Sequence, residues 1–394
     1  MEKWRNGDIK KSMKGALNVY VVDPFLSASH QSFWTSLKNS SAHNWEIFPA
    51  SNKFWKLSSG LSGHLDLENN WKNKKPDVLV ISDFFDLATF KGLNPRFSHI
   101  PSICYFHENQ FEYPVADDQK KDAHFSLINL RNFLTADISV FNSNWNYKSF
   151  LGGISKYRRA IPAEFRKWIP TSDSLKRKDS RVIYPGVEVP VIPAPKSDEI
   201  PENPVPSDPK KPLRLIWPHR WEYDKGPSKL FSLLEQLAVR NISYEIDICG
   251  PVSRGSSFPA LKSDAIRANV VRMGPYERKS EYFEALKTSD VVLSTASHEF
   301  FGIAVLEAVL SGCTPVLPDG LSYPEIYGSL EKAQLYSSDE DFLNIIENLS
   351  LQKADGSLLR LDATELRELE LKYSPKRAAE EFDTVIEKLV FTGK

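Results

Sequence analysis

The chain has 394 residues, with 50 Lys and Arg against 51 Asp and Glu, 41% hydrophobic and 26% charged residues, and a formal net charge of −1. That length exceeds one ordinary core and suits two domains, the composition is that of a globular protein, and the balanced charge announces no polyanionic partner for the surface as a whole. No run approaches the ~18 to 20 apolar residues of a membrane span. The basic start MEKWRNGDIKKSMKGALNVYVV has no small-residue cleavage site, and Cys104, Cys249 and Cys313 lack metal-ligand spacing, so a cytoplasmic protein with reduced thiols and no membrane partner is expected.

In chain order, the first half predicts strands at Leu17–Val22, Val78–Ser82, Ile103–Phe106, Ile138–Phe141 and Arg181–Tyr184, with helices such as Ser29–Leu37 and His124–Leu134 between them. The strand runs are continuously apolar, which means cover on both faces and a parallel sheet built from βαβ units. From Pro190 to Pro212 there are eight prolines in 23 residues, spaced by Asp, Glu, Lys and Ser; such a stretch cannot pack a core and predicts an extended linker. The second half repeats the rhythm, with strands at Leu213–Trp217, Tyr244–Cys249, Val270–Met273, Val291–Thr295 and Thr314–Leu317, and helices at Pro227–Val239, Ser280–Lys287 and Gly302–Leu310. The α/β fold expected is therefore two doubly wound, Rossmann-like parallel-sheet domains facing a central cleft. Residues 15–189 form the first, 190–212 the linker and 213–372 the second, with a C-terminal helix over 373–394 that can pack back on the first. Ligands of such sheets bind at the carboxyl ends of the strands.

The segment STASHEFFGIAVLEAV places Glu299 in a turn and Glu307 eight residues on, in a helix entered through Phe301 and Gly302. Along an ideal helix that separation is roughly 12 Å. The carboxyls of a glycosidase flank their bond at about 5 to 9.5 Å, so hydrolysis is a poor reading. Two carboxylates at two heights beside a helix N-terminus suit a ligand lying along the helix, one meeting sugar hydroxyls and the other a ribose, with the diphosphate at the helix start. Two glutamates so spaced are more often plain helix residues, but Glu307 sits among Ile303, Ala304, Val305, Leu306, Ala308 and Val309, where a carboxylate needs a partner.

A departing nucleoside diphosphate needs its charge stabilised. Asp339-Glu340-Asp341 reads as the acidic first turn of a helix rather than a metal site. WPHRWEYDKGP instead offers Arg220, able to grip phosphate bidentately, Lys225 as a mobile point charge, and Gly226 for close backbone approach. No metal and no cofactor beyond the donor substrate is expected. In the first half, Phe106-His107-Glu108-Asn109 ends a strand, Ser29-His30 follows the first one, and Asn142-Ser143-Asn144 can cap a helix and face the cleft. Lys148 to Arg181 holds ten Lys or Arg against three acidic residues, and interleaves Lys156, Arg158, Arg159, Arg166 and Lys167 with Tyr157 and Trp168. A patch of that kind can bind phosphate backbones and stack on unpaired bases, although basic faces are more often only solubilising.

The residues Arg220, Lys225, Glu299 and Glu307 resemble the GT-B glycosyltransferases of family four, whose mark is two glutamates separated by seven residues after an Arg…Lys-Gly loop. More narrowly, YFHENQFEYPV, ADISVFNSNWNYKSFL, IWPHRWEYDKGP and STASHEFFGIAVLEAVLSGCTPVLPDGLSYPEIY are similar to the tRNA-queuosine α-mannosyltransferase family, over roughly Asn18 to Tyr327. The resemblance implies retaining transfer of mannose from GDP-mannose to queuosine at the wobble position of a tRNA of the tRNA-Asp type. It carries donor roles onto Arg220, Lys225, Glu299 and Glu307, and the active-site histidine onto His107. Gly226, Phe301 and Gly302 are expected in the donor site beside them, and Glu299 is expected to be catalytic with His107. Ser29, His30, Glu108, Asn109, Ser143 and the basic cluster of Lys156, Arg158, Arg159, Arg166 and Lys167 fall to the acceptor and the tRNA anticodon region. The chain departs from the family at Ser27-Ala28, where members tend to have Gly-Gly. The alternatives are another family-four enzyme with a glycan or lipid acceptor, and a non-catalytic tRNA-binding protein on the same fold.

Overall fold

The computed structural model describes residues 15–49, 71, 75–114, 123–189, 208–251, 264–358 and 360–392. The Pro190–Pro212 linker falls outside this set except for its last residues, 208–212. The first sheet comprises β1 (Asn18–Asp23), β2 (Asn44–Pro49), β3 (Val78–Ser82), β4 (Ser102–Phe106), β5 (Ile138–Phe141) and β6 (Ser180–Val182), in the order β2-β1-β3-β4-β5-β6. The second comprises β7 (Leu213–Pro218), β8 (Tyr244–Cys249), β9 (Val270–Gly274), β10 (Val291–Leu293), β11 (Thr314–Pro318) and β12 (Gln334–Tyr336), in the order β12-β11-β10-β7-β8-β9. Every described pairing is parallel. The strand order reverses beside β1 in the first sheet and beside β7 in the second, and a doubly wound sheet opens a crevice at such a point.

The strands form where the apolar runs are continuous because both faces are covered: all five residues of β3 and of β4 are buried. Two elements depart from the sequence reading for clear reasons. β10 ends at Leu293, because Ser294 and Thr295 turn their hydroxyls away to the Tyr323 hydroxyl (2.7 Å) and to the carbonyls of Lys225 and Gly226 (3.0 Å each). β6 ends at Val182, and Tyr184 instead donates to Glu325 at 2.8 Å. The acidic turn Asp339-Glu340-Asp341 opens the helix Asp339–Asp355, with Ser338 as its N-cap.

The two domains are joined by specific polar contacts. Ser143 caps the helix Asn144–Ala160 through the Asn146 N–H (2.9 Å) and also donates to the Phe300 carbonyl at 2.6 Å. Glu325 accepts from the Asn144 and Trp145 N–H groups at 2.8 Å each, so a second-domain carboxylate occupies the N-terminus of a first-domain helix. The final helix, Pro375–Thr392, lies against the helix Ala28–Ser40 and buries Phe382 and Ile386 with Trp34, Trp45 and Tyr105 of the first domain. No helix among the described residues is long and apolar enough to cross a membrane.

Candidate active site

The carboxyl edges of the two sheets face each other across a cleft of about 230 Å³. On the second-domain wall, the Pro218–Gly226 loop after β7 and the turn after β10 meet. Lys225 is buried and its ammonium donates to Glu299 (3.0 Å) and the His298 carbonyl (3.2 Å), with Asp224 3.0 Å away. Three acceptors match its three protons, as an ammonium taken from water requires. Burial alone would lower the Lys225 pKa, but Glu299 and Asp224 raise it above its ordinary value. Burial alone would likewise raise Glu299, and Lys225 holds it below the ordinary carboxylate range. The mobile point charge expected of Lys225 is thus corrected to a pinned one. Arg220 is the freer cation, with a side chain 52% exposed and 3.2 Å from Glu222.

The helix Ile303–Leu310 begins at this wall, and Gly302, Ile303 and Ala304 line the cleft beside Glu299 and Phe301. Gly302 has a φ of 89°, which only a residue without Cβ adopts freely, and it turns the chain into the helix. Its partner glycine behaves otherwise than expected. Gly226 does not line the cleft; a Cβ there would lie 2.2 Å from the Thr295 carbonyl oxygen, so its close approach is to its own fold rather than to a ligand.

A second pocket of about 340 Å³ shares Pro218, His219 and Arg220 with the cleft and continues past Gly250, Tyr276, Lys279 and Tyr282. Arg220 therefore stands where the two spaces join. Glu307 lines neither space. The Tyr282 hydroxyl donates to its carboxylate at 3.2 Å, and burial raises its pKa. The partner that this buried carboxylate needs is a tyrosine, and Tyr282, not Glu307, reaches the pocket surface. Tyr276 is fixed there by a hydrogen bond to Asp247 and by the Arg272 guanidinium 4.2 Å over its ring.

The first-domain wall carries Ser29, His30, His107 and Glu108, together with Phe25, Ser27 and Tyr113. Ser27 has φ −66° and caps the helix Ala28–Ser40 through the His30 N–H (3.3 Å), so the backbone makes no demand for glycine at that position. The His30 and His107 rings stack at 3.8 Å and 15°. Burial pushes the Glu108 carboxyl up to about 7, and Gln110 donates to it at 2.8 Å. Asp23, at the end of β1, is buried behind His30, whose Nδ1 lies 2.9 Å from it.

Two expected acceptor residues have other work. Asn109 is fully buried and donates to Asn146 (2.9 Å) and Ser149 (2.8 Å), fixing the loop after β4 against a helix. Ser143 is consumed by its cap and by Phe300. Neither lines the cleft. The basic residues lie at the other end of the helix Asn144–Ala160, about 25 Å along its axis from Ser143. There Arg158 and Arg166 donate to the carbonyls of Ile169 (3.2 Å) and Ile161 (3.2 Å), while Lys156 pairs with Glu112 at 2.9 Å. Arg159 and Lys167 are exposed, beside Trp168 (67% exposed) and Phe165 (41%), whose rings lie 5.1 Å apart. Residue order alone does not reveal Asp23, Asp224, His219, Tyr276 or Tyr282, although an acid closing β1 and an Asp-Lys-Gly run are visible in it.

Comparison with known proteins adds to this geometry. The family described as tRNA-queuosine alpha-mannosyltransferase N-terminal matches residues 18–187, and the glycosyl transferases group 1 family matches residues 199–355. The tRNA-queuosine alpha-mannosyltransferase of Drosophila melanogaster is 33% identical over 324 residues, spanning 82% of this chain and 84% of that protein. Among solved structures, sucrose-phosphate synthase from Thermosynechococcus elongatus aligns with a TM-score of 0.69 at 12% identity, over 96% of this chain and 100% of its own. A glycosyltransferase from Rickettsia africae aligns at 0.63 and 12%, with the same coverage. Those identities speak for the fold alone, which is GT-B. With two doubly wound domains, a cleft wall of basic and acidic side chains, and a relative 33% identical over most of its length, the chain is a glycosyltransferase that belongs to the tRNA-queuosine alpha-mannosyltransferase family.

Proposed function

We propose that the chain transfers mannose from GDP-mannose to queuosine at the wobble position of a tRNA of the tRNA-Asp type, with retention of configuration, in the cytoplasm. The observation that carries the donor half is Arg220 at the junction of a cleft and a side pocket, since a nucleotide sugar has its diphosphate between two such bodies. In this reading the nucleoside enters the side pocket against Tyr276, and Tyr282, backed by Glu307, holds the ribose. Arg220 and the N–H groups at Gly302 to Ala304 take the diphosphate. Glu299 leaves Lys225 to accept from the sugar's hydroxyls, and the charge that Lys225 then lacks is supplied by phosphate. The fixed cations neutralise the leaving group without a metal ion. The acceptor lies against Ser29, His30, His107 and Glu108. The anticodon backbone runs toward Lys156, Arg159 and Lys167, where Trp168 offers a face for an unpaired base.

Incubation with queuosine-containing tRNA and a panel of nucleotide sugars, followed by nucleoside mass analysis, tests this. The expected product is queuosine plus one hexose, from GDP-mannose alone. Transfer only to a glycan or lipid, or no transfer from any donor, would overturn it.

A further inference from the structure

Among the described residues three carboxylates line the cleft, and their surroundings differ. Asp224 and Glu299 flank the Lys225 ammonium at 3.0 Å each, and Arg220, the other cation there, pairs with Glu222 at 3.2 Å. The third carboxylate, Glu108, is half-buried on the first-domain wall and pairs with no lysine or arginine among the described residues. Its Oε1 accepts from the Gln110 amide at 2.8 Å, and its Oε2 has no hydrogen-bond partner among them. A neutral amide orients a carboxylate without offsetting its charge. Burial pushes the Glu108 pKa up to about 7, and Lys225 and Arg220 across the cleft pull it back only in part.

The loop that carries Glu108 is held on both sides of it. The His107 N–H donates to Asp83 (3.1 Å), and the Asn142 amide donates to the His107 carbonyl (2.7 Å). The Gln110 N–H donates to Asn129 (2.7 Å), and Ser126 donates to the Gln110 carbonyl (2.9 Å). Asn109, between them, is buried against Asn146 and Ser149. Glu108 is therefore held at the cleft by a loop whose other polar groups already have partners. A carboxylate withdrawn from water needs a cation or several donors, and here the protein supplies one amide. The missing charge belongs to a ligand.

Queuosine carries such a charge. Its cyclopentenediol is joined to the 7-deazaguanine through a secondary amine, which is protonated near neutral pH as alkyl amines are. That nitrogen sits on the ring carbon next to the nearer hydroxyl. A diol brought up to the transferred sugar therefore draws an ammonium into the cleft behind it.

We propose that Glu108 selects the acceptor by pairing with this secondary ammonium. This rests on the transfer reading above. An ammonium N–H donates to Glu108 Oε2, the proton stays on nitrogen, and no covalent bond changes. Charge-assisted hydrogen bonds of this kind are stronger than those between neutral groups. A hydroxyl of the diol could satisfy Oε2 as well, but it would leave the charge uncompensated. An unmodified guanine at the wobble position brings no cation, so the contact that holds queuosine also rejects guanine.

The test compares tRNAs that differ only at the wobble base, bound without donor to the wild type, Glu108→Gln and Glu108→Asp. The bases are guanine, 7-aminomethyl-7-deazaguanine, which has the ammonium without the diol, and queuosine. The aminomethyl tRNA should bind the wild type at least about tenfold more tightly than the guanine tRNA. Glu108→Gln keeps the acceptor for Gln110 and should bring that ratio to within about twofold, with the melting temperature unchanged and donor binding no weaker. Glu108→Asp should keep part of the preference. Equal binding of the guanine and aminomethyl tRNAs by the wild type overturns the pairing, and a preference for queuosine alone then assigns recognition to its hydroxyls. A preference that survives in Glu108→Gln overturns it too. Transfer is read separately: a wild type that prefers the ammonium but moves no hexose to queuosine loses the transfer reading and keeps the Glu108 contact.

Discussion

The two walls of the cleft hold their polar groups by different physics. On the second domain, Lys225, Asp224 and Glu299 form an ion-pair cluster whose ammonium also donates to the His298 carbonyl. On the first domain, Asp23 is sealed by four directional hydrogen bonds, and only the outward face of His30 is left open. The difference matches the two tasks proposed for the walls. A wall that receives an anion and later releases it needs ion pairs that re-form at small cost, whereas a wall that aligns one hydroxyl needs an orientation that does not change.

That contrast can be broken first at Arg220, the exposed cation at the junction. Arg220→Ala should lower kcat/KM about 10² to 10³-fold while the melting temperature stays unchanged, and Arg220→Lys should recover little, because a point charge lacks the planar fork. Lys225→Met should act on the fold as well. It leaves Asp224 and Glu299 buried together without their cation, at a cost of about 3 kcal/mol or more, visible as a lowered denaturant midpoint. Glu299→Gln keeps Asp224 beside Lys225, so it should fold normally and lose transfer about 10 to 100-fold.

Smaller effects sharpen the comparison. Glu325→Ala removes the carboxylate that accepts from the Asn144 and Trp145 N–H groups and from Tyr184 across the domain boundary, and should destabilise the protein by about 1 to 3 kcal/mol without changing donor affinity. Arg159→Ala and Lys167→Ala should each raise the KM for tRNA severalfold and reduce the salt dependence of tRNA binding by about one unit of slope, leaving the donor KM alone. The smallest is a pH effect. Glu108, pushed up to about 7 by burial, is neutral below that pH and ionised above it, where it opposes the incoming diphosphate. The donor KM should therefore rise above pH 7 in the wild type and less so in Glu108→Gln.

Much of the fold was legible because runs such as Val78–Ser82 and Ile103–Phe106 are almost wholly apolar and buried on both faces. β2 escaped notice because it is an edge strand, Asn44–Pro49, with a polar start and half-buried residues, and β12 because it is only Gln334–Tyr336. On the second-domain wall, Arg220 and Lys225 share one loop and Glu299 lies in another, so their order in the chain brings them into view together. What sequence does not carry is the partner each group finds. Asp23, His30, Ser82 and His107 come from the ends of three strands and one helix, and only the folded sheet makes them neighbours. Glu307 drew a ribose as its expected partner because Tyr282, on a separate helix, cannot be paired with it from spacing. For the same reason Asn109 and Ser143 look free in the sequence but are bound within the fold.

The division of the cleft is tested most directly by calorimetric titration of GDP-mannose, without tRNA, into the wild type, Arg220→Ala and His30→Gln. Donor binding should be lost or weakened about 10²-fold in Arg220→Ala and remain within about twofold of wild type in His30→Gln. Equal weakening in both, or undiminished binding in Arg220→Ala, would contradict the assignment of donor and acceptor to opposite walls.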